Sequence, residues 1–203
     1  MVQAHELFLG FVRYYNSLNI HVDETASTRT NRILSYYDEL GRMLGYRISS
    51  EITMNNLIEN APKSLSKMKM DLVWWRKLDE QNYEYELGLE SQDSPNMQKI
   101  RQDIRKLSYL PSNNLLLYCS FEDTENIIKL LKRDFLKYGS NHSQFLTIID
   151  AWTDKTAFDE GVIRAILINK QGDLLGEGYA KPSSIRDNDN YLRILSEAKW
   201  MYK

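Results

Sequence analysis

Apolar positions along this chain switch between two spacings, and the switches divide it into elements. Leu7, Phe8, Phe11, Tyr15 and Leu18 recur at helical spacing, which predicts an amphipathic helix over the first eighteen residues. A polar stretch ending in threonines supplies a cap. Ile33, Leu34, Tyr37, Leu40 and Leu44 then repeat with the same period up to Gly45, a residue suited to closing a helix. From there the period shortens. "YRISSEITM" reads as a strand, "NNLIENAPKSLSKMK" as a loop, "MDLVWWRKL" as a strand, "DEQN" as a tight turn and "YEYELGLES" as the paired strand.

Beyond residue 92 the two periods alternate. Met97, Ile100, Ile104 and Leu107 mark one side of a helix that a serine and a proline introduce. "NNLLLYCSF" is a short, continuously apolar run, the pattern of a strand covered on both faces. "EDTENIIKLLKRDFLKYG" predicts a helix ending at Gly139, and "QFLTIIDAWT" another buried strand. "GVIRAILINKQGDLLGEGYA" predicts two strands joined at "KQGD", and the tail "YLRILSEAKWMYK" a helix. Strands first, then helices alternating with buried strands, indicate an α/β fold: a mixed central sheet flanked by helices. We expect one domain over 1–203, with an accessory N-terminal helix (1–20), a core over about 30–155, and a C-terminal hairpin and helix over about 156–203.

Composition narrows the picture without naming a function. A formal charge of −2 gives no global sign of a nucleic-acid binder, although a local basic face could be masked by an acidic site. The lone cysteine, Cys119, excludes an internal disulfide framework and sits where a small buried hydrophobe is expected. No apolar run approaches the roughly 18 residues needed to cross a bilayer, and the N-terminus lacks the pattern of a signal peptide. A cytoplasmic protein with no membrane partner is therefore expected. His5, His21 and His142 have no metal-ligand spacing, and "KQGDLLGEG" matches no phosphate-binding loop.

The candidate chemistry is carboxylate. Strand alternation places Glu84, Glu86, Gly88 and Glu90 on one face of "YEYELGLES", with Tyr83, Tyr85, Leu87 and Leu89 on the other. Asp71 opens the neighbouring apolar strand, beside Trp74 and Trp75, for which packing roles are expected. Hard oxygen donors at this density favour Mg²⁺, Mn²⁺ or Ca²⁺ over zinc. An ordinary solvent-facing acidic strand, with Arg76 and Lys77 as cross-strand partners, accounts for the same residues.

A helix carrying "LGRMLGY", a strand with Glu51, an aspartate opening an apolar strand, a turn, a strand ending in a carboxylate and a helix with "IRQDIRKL" together resemble the PD-(D/E)XK nuclease superfamily. The resemblance spans roughly residues 30 to 120. It implies a restriction-endonuclease-like fold in which Asp71, Glu86 and Glu90 bind Mg²⁺ or Mn²⁺ and DNA phosphodiester bonds are hydrolysed. The acid-x-lysine pair of that family is incomplete here, because "ELG" and "GLE" both lack the lysine. Lys106 on the following helix is the candidate replacement, and Glu39 and Glu51 are candidate additional acids. The implied partners are DNA and, for cutting two strands, a second copy of the chain. The alternative that the missing lysine suggests is a catalytically inactive member used for nucleic-acid binding or assembly.

Overall fold

The computed structural model describes residues 2–21, 23–59, 61–80, 82–93, 96–120, 124–138, 144–150, 162–187 and 190–203. Helix α1 (Ala4–Tyr15) and α2 (Ala26–Met43) precede strand β1 (Arg47–Thr53) and a single helical turn, α3 (Met54–Leu57). Strands β2 (Lys69–Lys77) and β3 (Tyr83–Gln92) follow, then α4 (Met97–Tyr109), β4 (Ser112–Ser120), α5 (Thr124–Tyr138) and β5 (Gln144–Asp150). The chain closes with β6 (Ile163–Ile168), β7 (Leu174–Ala180), β8 (Pro182–Asp187), β9 (Asn190–Leu195) and β10 (Lys199–Tyr202).

Local chemistry fixes several boundaries. Thr25 Oγ1 accepts the Thr28 amide at the start of α2, and Asn96 Oδ1 accepts the Gln98 and Lys99 amides at the start of α4. Gly45 takes φ = 85° just beyond α2, the left-handed conformation that a side chain disfavours.

One sheet runs β1-β2-β3-β4-β5-β6-β7-β10, and β8 pairs with β9 in a separate ribbon. Only β3-β4 and β4-β5 are parallel; every other pair is antiparallel among the described residues. Helices α4 and α5 lie on one face, where Ile100, Ile104, Leu107, Leu131 and Phe135 pack against Val73, Leu115, Leu117 and Phe145. Helices α1 and α2 lie on the other, where Phe8, Phe11, Ile33 and Tyr37 pack against Trp74, Leu87, Leu89 and Tyr118. The architecture is thus mixed α/β, with a large mixed sheet flanked by helices. A strand such as β4, buried along nearly its whole length, needs apolar residues of both parities, and "LLLYC" supplies them.

The tail departs from the expected helix. Residues 191–203 form β9 and β10 instead, with β10 paired on β7. "YLRIL" also carries period-two alternation, and the sheet offered β10 an open edge. Glycines make room there: a Cβ at Gly178 would lie 2.4 Å from Phe8 Cε1 and 2.7 Å from Trp200 Cε3. Strand β8 was not anticipated, and the loop expected after β1 contains α3. The helix end expected at Gly139, the serine–proline start of α4 and His142 fall outside the described residues.

The ribbon is fastened to the sheet by charge. Arg193 on β9 reaches Asp150 at the end of β5 with both terminal nitrogens, and Tyr118 Oη donates to Asp150 Oδ2 at 2.8 Å. No helix of the described residues is long and apolar enough to cross a membrane.

Candidate functional site

Strand β3 positions two buried glutamates, each 1% exposed, and sends them to opposite faces of the sheet. The antiparallel register pairs Trp74 with Leu87 but Trp75 with Tyr85, so Glu86 is the extra residue of a bulge. A bulge interrupts the two-residue alternation. Glu86 therefore turns toward the α1 side, while Gly88 and Glu90 turn toward α4. The expected common face of Glu84, Glu86, Gly88 and Glu90 does not exist, and Tyr85 is likewise parted from Leu87. Tyr85 packs on the α4 side and donates its hydroxyl to Leu57 O at 3.0 Å.

On the α1 side Glu86 is saturated. Its Oε1 accepts from Val2 N at 2.7 Å and Asn114 Nδ2 at 3.2 Å, and its Oε2 accepts from Asn113 Nδ2 at 3.0 Å. Glu84 meets Arg76 across the strand pair, and the guanidinium holds its carboxyl below the usual range. These two acids anchor the first residues of the chain and the β2–β3 hairpin. The expected three-carboxylate metal set of Asp71, Glu86 and Glu90 is corrected accordingly: Glu86 is not part of it.

On the α4 side four charged groups converge. Leu72 pairs with Leu89, so one step along the antiparallel ladder sets Asp71 opposite Glu90. Asp71 Oδ2 accepts the Ser91 amide at 2.8 Å. Lys106, only 8% exposed, donates to Glu90 Oε2 at 2.6 Å and to Lys69 O at 2.9 Å, and lies 3.0 Å from Asp103 Oδ1. The second carboxylate oxygen of Glu90, Oε1, is buried with no hydrogen-bond partner. A buried carboxylate oxygen without a partner is costly in its ionised form, a cost also met at Asp93 Oδ1 and Glu24 Oε2.

Electrostatics agree with the geometry. Burial raises the Asp71 carboxyl above its ordinary value, against the opposing Ser91 amide and Lys106. Burial, with Asp71 and Asp103 nearby, raises Glu90 well above the usual carboxylate range despite Lys106. For Lys106 burial acts to lower the value, but Glu90 and Asp103 overcome it and the ammonium is held in its charged form. Three carboxyl groups share one ammonium, and burial pushes two of them, Asp71 and Glu90, toward the protonated form.

The other sequence candidates lie apart from this centre. Glu39 is exposed on α2 and lines a groove of about 620 Å³ beside α1, bounded also by Tyr14, Tyr36 and Met43. Glu51 is exposed at φ = 52° on β1 and pairs with Lys69 at 3.4 Å, a neighbour of the cluster rather than a member. Trp74 is buried, its indole donating to Tyr37 O at 3.0 Å, and Trp75 donates to Ser49 Oγ at 3.0 Å. Lys106, the candidate replacement lysine, lies off the apolar stripe of α4 and is nonetheless buried, because the start of β2 and the end of β3 cover that flank. Asp103 was not singled out. Its signal was the i,i+3 charge pair with Lys106 beside an apolar stripe.

Gly88 stands where the resemblance called for an acid or a lysine, and packing explains it. A Cβ there would lie 2.4 Å from Leu110 Cδ2, with Leu107 and Met70 filling the space around it. Among the described residues, no three His, Cys, Asp or Glu side chains are arranged to hold a metal ion together.

No family model and no curated protein matches the chain. A solved structure with which it shares similarity is an S-adenosylmethionine-dependent methyltransferase from Clostridium acetobutylicum ATCC 824, at 13% identity, with 43% of this chain and 41% of that chain covered and a TM-score of 0.15. The matched stretch is less than half of either protein, and a likeness of this size gives this chain neither fold nor activity. The nuclease expectation, in its active and inactive forms, is corrected here: the acidic strand face that motivated it is divided by the bulge at Glu86, and Glu86 itself is taken up by Val2, Asn113 and Asn114.

Proposed function

We propose that the chain is a divalent-cation-binding protein whose site is the Asp71–Glu90 pair. The observation that carries this is the buried, unpartnered Oε1 of Glu90, set beside a second carboxyl whose ionised form burial disfavours. In their ionised forms Asp71 and Glu90 together carry the charge that Mg²⁺ or Mn²⁺ would match. Both ions accept hard oxygen donors, and Mg²⁺ commonly takes one or two carboxylates and completes its shell with water or a ligand's oxygens. Bound there, such an ion would supply Lewis acidity toward an oxygen ligand. The chain's own residues do the rest: Ser91 N–H fixes Asp71, Gly88 leaves space for α4 to close on the strand, and Asp103 holds Lys106 at the rim.

The finer fold assignment, restriction-endonuclease-like, belongs to the same proposal. It is supported by the antiparallel β1-β2-β3 run followed by α4 and a parallel β4, with Asp71 and Glu90 on the two middle strands. It is an assignment of architecture, separate from activity.

Calorimetric titration of the full chain with Mn²⁺ tests the site. Saturable binding of one ion, lost in Asp71→Ala, is expected; heats equal in the two proteins would remove the proposal.

A further inference from the structure

The three N–H donors of the Lys106 ammonium face three acceptors: Glu90 Oε2 at 2.6 Å, Lys69 O at 2.9 Å and Asp103 Oδ1 at 3.0 Å. Two of these acceptors would remain if the contact with Glu90 were given up. The side chain is tied down on the α4 side by Asp103, which lies one helical turn away, and on the β2 side by a backbone carbonyl. The ammonium therefore has somewhere to stay without Glu90, whereas Glu90 without the ammonium has only its unpartnered oxygen and a neighbouring carboxyl.

We infer that Lys106 is a built-in counter-ion, which occupies Glu90 until a divalent cation displaces it onto Asp103 and the Lys69 carbonyl. The inference rests on the proposed Asp71–Glu90 site and adds a selectivity to it. A monovalent ion arriving at Glu90 exchanges one positive charge for another and must also bear the repulsion of the displaced ammonium. A divalent ion brings twice the charge against the same pair of carboxylates, so it gains where Na⁺ or K⁺ does not. The lysine thus lowers affinity for every cation but excludes the abundant monovalent ones most strongly.

The test is Mn²⁺ calorimetry on the wild-type chain and Lys106→Met, each repeated with added NaCl at constant ionic strength. Without the ammonium, Mn²⁺ binding is expected to tighten roughly tenfold or more and to become sensitive to Na⁺, which is without specific effect on the wild type. Equal or weaker binding by Lys106→Met, where the wild type binds, overturns the inference and leaves the site standing. If neither protein binds Mn²⁺, the site itself is wrong and the inference falls with it. Should Lys106→Met fail to fold, the wild type decides: the Lys106 Nζ resonance is expected to shift saturably with Mg²⁺, with the same midpoint as the calorimetry. An unmoved resonance at saturating Mg²⁺ overturns the inference.

Discussion

Glu86 and Glu90 are the same residue type, four positions apart on one strand, and equally buried, yet their surroundings are opposite. Glu86 accepts three hydrogen bonds from Val2, Asn113 and Asn114, and uses both its oxygens. Glu90 spends one oxygen on Lys106 and leaves the other unpartnered beside Asp71. The first is an acid whose charge the fold has fully answered, and it acts as a structural fastening. The second is an acid whose charge the fold has answered only in part. Burial alone does not separate a structural from a functional carboxylate. Hydrogen bonding separates these two, although Asp93 and Glu24 also keep one buried, unpartnered oxygen beside an arginine.

This contrast can be broken by substitution, and the largest effect should fall on the incompletely compensated side. Lys106→Met leaves Glu90 with no counter-charge in a buried place, and a loss of about 3–5 kcal/mol in unfolding free energy is expected from urea denaturation. Combining it with Glu90→Leu should recover most of that loss, because removing both partners also removes the uncompensated charge. A single and a double variant of equal stability would mean that the uncompensated charge of Glu90 is not the source of the loss.

On the saturated side Glu86→Ala strands the Val2 amide and takes one acceptor each from Asn113 and Asn114, which keep Glu84 and the Val2 carbonyl. A cost of about 1–3 kcal/mol follows, measured in the same way. It should come with faster amide exchange near Val2, since that residue's N–H loses its acceptor. A smaller effect is expected between the two glutamates. Gly88→Ala places a methyl against the end of the Leu110 side chain, a flexible neighbour that can give, so a loss of about 1–2 kcal/mol is expected. Stability unchanged or increased by Gly88→Ala would show that packing against α4 does not account for the glycine.

Much of the fold was legible because its elements carry strong periods. The stripe of Ile100, Ile104 and Leu107 gave α4, and the continuous run of "NLLLYC" gave a strand covered on both faces. Alternation failed where the backbone departs from it. The bulge at Glu86 moves one residue out of register, and no residue type near it announces the change, so a face of four positions was read where there are two half-faces. The tail failed for a different reason: "YLRIL" and "KWMY" fit either period when short, and the open edge of β7 decided the matter.

The site was half legible. Asp71, Glu90 and Lys106 are brought together, and Asp71 drew notice because an aspartate at the head of an apolar strand is unusual. What the sequence could not carry is the burial of Lys106. On a helical wheel it lies off the apolar stripe, and it is covered only because β2 begins and β3 ends over that flank. Asp103 was hidden by the same geometry. Glu39 and Glu51 are acidic residues on exposed parts of α2 and β1, and nothing in their residue type separates them from Asp71.

The most direct test of the difference between the two glutamates is Mn²⁺ calorimetry on two isosteric variants of the full chain, Glu86→Gln and Glu90→Gln. Binding kept in Glu86→Gln and lost in Glu90→Gln is the predicted result. The same Mn²⁺ affinity in both variants would contradict the assignment of one acid to structure and the other to a cation site.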